Sequence, residues 1–188
     1  MSLAPVILAL LAYYVPSLGL RPHDSTNYGT LVQPQRHIPS AQALPLTTLD
    51  GQPFDLASLD GKWLLVSADA AACPESCVRK LFILRNSHAS QGKEVERLAR
   101  IWFLMDKGTV PDQVLEAYRG TNMVLADPEK LAAFLAPQAS AAEREAALKA
   151  PMWIIDPLGN LMMQFPADAD PISVRDDIRK LLRNSRIG

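Results

Sequence analysis

Cysteine is scarce in this chain: there are two among 188 residues, and they stand four positions apart, at Cys73 and Cys77. So few, so close together, exclude a scaffold held by disulfide staples and leave one dedicated dithiol. An excess of charge is missing too. Nineteen Lys and Arg face twenty Asp and Glu, which gives no electrostatic reason to expect nucleic acid as a partner. No internal repeat at a fixed period is visible, which excludes a solenoid or a propeller. Aromatic residues make up only 6% of the chain, yet Trp63, Trp102 and Trp153 all fall in runs of strand length, where they read as core residues. The length suits one domain with its own core plus an appendage.

Long apolar runs are absent except at the start. Residues 3–20, LAPVILALLAYYVPSLGL, carry no charge. That is about the shortest run able to cross a bilayer core of about 30 Å at about 1.5 Å per residue. Nothing basic precedes it and no clear small-x-small site follows, which favours an uncleaved anchor over a cleaved signal peptide. The expected division is a transmembrane anchor at 1–20, a tether or extended strap at 21–42 marked by Pro22, Asn27, Gly29, Pro34 and Pro39, and a domain at 43–188. Arg21 and Arg36 follow the run, and by the positive-inside rule charge alone would keep the domain on the cytoplasmic side.

Within the domain, Asp50-Gly51 reads as a turn between two short strands, and residues 62–68 read as a buried strand. A helix starting at the cysteines follows, with Val78, Leu81, Phe82 and Leu84 as its apolar face and Arg79, Lys80 and Arg85 toward solvent. Residues 100–106 and 122–126 are further strands, with helical spacing at 110–118 and a helix opened by Asp127-Pro128. Residues 140–149 are helical by propensity. A hairpin at 151–165 turns on Pro157-Leu158-Gly159, and residues 172–183 form the last helix. Strands alternating with helices call for an α/β fold, a mixed central sheet with helices on both faces.

Cys73 and Cys77 lie at a strand-to-helix junction with Pro74 between them, where Pro74 suits the first helical position. Helix residues four apart have Cβ atoms about 5–6 Å apart, so the two sulfurs can be bridged or can share one soft ion. The N-terminus of a helix lowers a thiol pKa, as nucleophilic attack requires. The competing reading is two small core residues at helical spacing. His88 reads as a solvated residue too far along the helix to face the cysteines, while His23 and His37 lie in the tether. Met152, Met162 and Met163 read as core, and Asp106 and Asp156 as turn acceptors at strand ends.

The run LDGQPFDLASLDGKWLLVSADAAACPESC resembles the opening of thioredoxin-fold proteins of the peroxiredoxin, TlpA and Sco/SenC groups, and the CxxxC spacing points to the Sco/SenC-like family. The resemblance implies a thioredoxin-like fold and a cis-proline at Pro151 facing Cys73, so that Cys73, Cys77 and Pro151 form the catalytic set. It further implies Cu(I) held by Cys73 and Cys77. The histidine that completes the Sco copper site has no counterpart in residues 146–150. A role in cytochrome c oxidase assembly follows by the same resemblance, at the bacterial inner membrane with the domain facing the periplasm. The partners would be an oxidase subunit or its assembly factors. Two other readings stay open: a general thiol–disulfide oxidoreductase in which Cys73 attacks and Cys77 resolves, and a non-catalytic interaction module.

Overall fold

Apolar runs of strand length alternate with amphipathic segments, and the chain folds accordingly into β1 (Thr30–His37), β2 (Leu46–Thr48), β3 (Pro53–Phe54), β4 (Trp63–Asp69), α1 (Glu75–Ala89), β5 (Leu98–Leu104), α2 (Asp112–Ala117), β6 (Thr121–Ala126), α3 (Pro128–Leu135), α4 (Arg144–Lys149), β7 (Met152–Ile155), β8 (Asn160–Phe165) and α5 (Pro171–Asn184). The structure, a computed structural model, describes residues 3, 4, 6 and 27–187. The expected anchor therefore falls almost wholly outside the described residues. Among those that are described, no helix is long and apolar enough to cross a membrane.

The eight strands among the described residues join one mixed sheet in the order β1-β8-β7-β4-β5-β6-β2-β3. β4, β5 and β6 run parallel, as their helical crossovers require, and β7 lies antiparallel on the other side of β4. β4 is buried at every position, as befits a strand covered on both faces. On one face Leu64, Val66, Ile101, Phe103 and Trp153 pack under α3 and α4. On the other, Leu65, Ile154 and Phe165 meet α1 and α5, while Trp102 and Leu104 meet α1 and α2. All three tryptophans are buried, at 5% exposure or less.

From Thr30 onward the segment expected as tether or strap is a strap, and it forms an edge strand. β1 pairs with β8, and Arg36 donates to the carbonyls of Phe134 and Leu135, capping the C-terminal end of α3. The strap is seated just upstream, where Gly29 N–H donates to the buried Asp177 carboxylate at 2.8 Å and Tyr28 stacks on Phe165. Gly29 is there for closeness: a Cβ would stand 2.6 Å from the Met163 sulfur and 2.8 Å from Phe165.

Candidate dithiol site

The carboxyl ends of β4 and β5, two central strands of the sheet, meet the start of α1, the usual place for a site in an α/β fold. Beyond Asp69 the chain bends sharply. Ala70 N–H donates to the Asp69 carboxylate, Cys73 N–H donates to the Ala70 carbonyl, and the Asp106 carboxylate at the end of β5 accepts from Ala71 and Gly108 N–H groups. Asp106 is thus the turn acceptor expected of it, and Asp156 is another, accepting from Leu158 and Asn160 N–H groups.

This bend leaves Cys73 with a φ of 46°, the one non-glycine residue among those described with a positive φ. An L-residue occupies that left-handed region at a cost, and such strain gathers at functional sites. Pro74 then takes the extended N-cap position and α1 begins at Glu75. The expected geometry changes accordingly: Pro74 is not the first helical residue, and the cysteines do not meet as helix neighbours. Cys73 is folded back by its turn onto the first turn of α1, and Cys73 and Cys77 form a disulfide with Cα atoms 5.1 Å apart.

The bond is covered. Cys77 is wholly buried and Cys73 is 6% exposed, packed with Ala71, Leu81, Trp102 and Leu104 beneath Val110, Val114 and Tyr118. The covering segment is held down on three sides. Tyr118 Oη donates to the Val78 carbonyl, Arg85 to the Ala117 carbonyl, and Arg100 to the Arg119 carbonyl. Burial pushes the Tyr118 hydroxyl pKa up, so it stays a donor through the neutral range.

The buried face of α1 differs from the one expected. Cys77, Lys80, Leu81, Ile83, Leu84 and Ser87 point inward, whereas Val78 and Phe82 are 38% and 51% exposed. The helix is turned by about one residue, roughly 100°, because Cys77 must face inward to reach Cys73. Lys80, expected in solvent, is carried inside. Its ammonium lies 3.0 Å from Asp69 Oδ2, an ion contact out of line for a hydrogen bond, and donates to the carbonyls of Ala68 and Lys149. Both side chains are nearly or wholly inaccessible, at 3% and 0%. Burial lowers the Lys80 pKa from its usual value and Asp69 offsets part of that shift.

Pro151 requires a correction. The Ala150–Pro151 bond is trans; the one cis bond among the described residues is Gln33–Pro34, in the edge strand. Pro151 is buried and lines a groove of about 720 Å³ with Val32, Gln33, Ala146, Ala150 and Trp153. The link from this segment to the cysteine helix runs through the Lys149 carbonyl, which Lys80 holds. The histidines stay apart from the sulfurs. His88 is eleven residues beyond Cys77, about 16 Å along the helix, and is half-buried rather than solvated. His37 pairs with Asn160 on the far strand, level with the start of β4. His23 lies outside the described residues. Among those described, no three His, Cys, Asp or Glu side chains gather to hold a metal. Cys73 and Cys77 are thiolate donors that suit soft Cu(I) once the bond between them is reduced. Met152 and Met163 are core residues, as expected.

A mixed sheet with helices on both faces, and a cysteine pair where the first parallel strand runs into its helix, define a thioredoxin-like dithiol protein. The chain belongs to the transmembrane-like, thioredoxin-like, C-terminal domain family, whose model matches residues 63–185. Among solved structures it is similar to apo Sco1 from Thermus thermophilus, at 18% identity and a TM-score of 0.61, covering 86% of this chain and 98% of that one. It is similar to copper-bound ScoI of Arabidopsis thaliana, at 16% identity and a TM-score of 0.58, covering 84% and 99%. A thiol:disulfide interchange protein from Bacteroides sp. is similar at 15% identity and a TM-score of 0.57, covering 81% and 91%. These likenesses are of fold. In sequence, no curated protein matches the chain.

Proposed function

We propose that this chain is a Sco/SenC-like assembly factor for cytochrome c oxidase, anchored to the bacterial inner membrane with its domain in the periplasm. On this reading Cys73 and Cys77 handle copper or the redox state of a copper-site dithiol. The observation that carries it is the bonded cysteine pair at the β4–α1 junction, in a fold shared with copper-bound Sco proteins. Cys73 is the attacking sulfur, since it stands outside the helix and has what exposure the pair offers, and Cys77 resolves. Pro151 precedes Met152, which pairs with Ser67 near the end of β4. Copper is cargo here, and the two sulfurs that would take it are the same two that would pass electrons to a target disulfide.

The test is to load the reduced full chain with Cu(I) under anaerobic conditions, and in parallel to present it with an oxidised peptide carrying an oxidase copper-site cysteine pair. Retention of one Cu(I), or reduction of the peptide, that is lost in Cys73→Ser and Cys77→Ser supports the proposal. A general thiol–disulfide oxidoreductase, favoured by the likeness to the Bacteroides interchange protein, would instead reduce insulin as readily as the peptide. Failure with copper and with every disulfide leaves the interaction-module reading.

A further inference from the structure

Charge is rarely buried without a reason, because desolvating an ion costs several kcal/mol that a partner must offset. Among the described residues one ion pair has both side chains sealed from solvent, Asp69 with Lys80, and it brackets the dithiol. Asp69 ends the strand four residues before Cys73 and shares a face of β4 with Ser67, toward α1. Lys80 lies three residues after Cys77 on the same buried helix face, so their Cβ atoms are about 5–6 Å apart. An apolar pair would hold β4 against α1 without this cost. The ammonium also holds the Lys149 carbonyl, fixing the segment that leads into Pro151.

We infer that Lys80 is a positioning residue of the dithiol whose buried positive charge stabilises the Cys77 thiolate released when the disulfide opens, and that Asp69 moderates this effect. The inference rests on the thiol-exchange reading above. In the step concerned, the thiolate of an external thiol donates its electron pair to Cys73 Sγ. A new S–S bond forms there, the Cys73–Cys77 bond breaks, and its electron pair leaves on Cys77 Sγ. That sulfur is wholly buried, so no water reaches it to share the new charge, and the nearest cation on its own helix face is Lys80. Other charged groups at this corner are Lys149, Glu145 and Asp106, with Glu75 and Arg79 exposed on the outer side of α1; all remain in the variants below.

The experiment measures the midpoint potential of the disulfide in the full chain against glutathione or dithiothreitol buffers at fixed neutral pH. It compares wild type, Asp69→Asn and Asp69→Asn/Lys80→Met, with folding checked by circular dichroism. The expected order puts Asp69→Asn at the least negative potential, by about tenfold in equilibrium constant, about 30 mV for a two-electron couple. Adding Lys80→Met brings it back down by a similar amount. A pair that serves only to hold the fold together would not raise the potential on loss of Asp69 and lower it again on loss of Lys80. Asp69→Asn at or below the wild type, or a double variant equal to Asp69→Asn, overturns the inference. Asp69→Ser takes the place of the asparagine variant if that does not fold. A wild-type disulfide that no thiol buffer reduces overturns the exchange reading itself, a result distinct from a reducible protein whose potential ignores both substitutions.

Discussion

Cys73 reaches Cys77 from outside the helix, through a left-handed turn at φ 46° that the Asp106 carboxylate and the Ala70 carbonyl hold in place. The reactive pair therefore depends on a loop conformation fixed from two strand ends. The covering residues Val110, Val114 and Tyr118 then decide how readily a partner reaches the sulfurs.

Loosening the cover is expected to speed reduction. Tyr118→Phe keeps the ring and removes the hydrogen bond to the Val78 carbonyl, at a cost of about 0.5–1.5 kcal/mol. The rate of disulfide reduction by dithiothreitol, followed by mass spectrometry of alkylated samples, is expected to rise several-fold. An unchanged rate would show that the Tyr118 bond does not limit access.

His88 gives a pH signature. Burial and the nearby Arg100 lower its pKa from 6.5, so in the folded chain it stays neutral where the unfolded chain binds a proton. The stability this represents is full above about 6.5 and is lost as pH falls from there toward the lowered value. Urea midpoints are expected to drop between pH 7 and pH 5, and to drop less in His88→Gln. Equal drops would contradict the assignment.

At lower pH the carboxylates take over. Glu94, held by Arg97, and Asp170, held by Ser173 at the start of α5, both have lowered pKa values. Their contribution is present above the ordinary carboxylate range and lost as pH falls through the lowered values. Asp170→Asn is expected to flatten part of the loss of stability below about pH 4, read from the same urea midpoints.

The sheet and the dithiol junction were legible because their signals are local: an apolar run entering a Pro-containing cysteine turn needs no distant residue to be read. The rotation of α1 was not. It is set by Cys77 facing inward, and Leu81 and Leu84 fit the expected face and the observed one alike. Lys80 was misplaced for the same reason, since a lysine on a helix reads as solvated until its partner is known. A signal was there: Asp69 closes a strand buried throughout, which asks for a cation, and Lys80 shares the face of Cys77, Leu81 and Leu84. The isomers at Pro34 and Pro151 were beyond reach, because an X–Pro preference of about 0.5–1 kcal/mol is settled by tertiary contacts. The Gln33–Pro34 bond falls in an edge strand, where a missing N–H costs least.

The strap offers a test of the fold away from the sulfurs. Gly29→Ala would force a methyl group into Met163 and Phe165 and disturb the Gly29 bond to Asp177. A loss of about 1–3 kcal/mol in urea unfolding is expected, as for other overpacked sites. The midpoint potential of the disulfide should not move. A shift in potential with no loss of stability would mean that the strap acts on the site.

The central claim is that Cys73 and Cys77 form a reversible dithiol that reacts in the folded protein. The direct measurement treats the oxidised full chain with dithiothreitol at neutral pH without denaturant, traps free thiols with iodoacetamide at intervals, and maps the labels by mass spectrometry. The account predicts that both cysteines become reducible while the fold persists, with any trapped mixed disulfide carrying the dithiothreitol on Cys73 and the free, labelled thiol at Cys77. Label that appears only after unfolding, or a mixed disulfide trapped on Cys77 with Cys73 free, would contradict it.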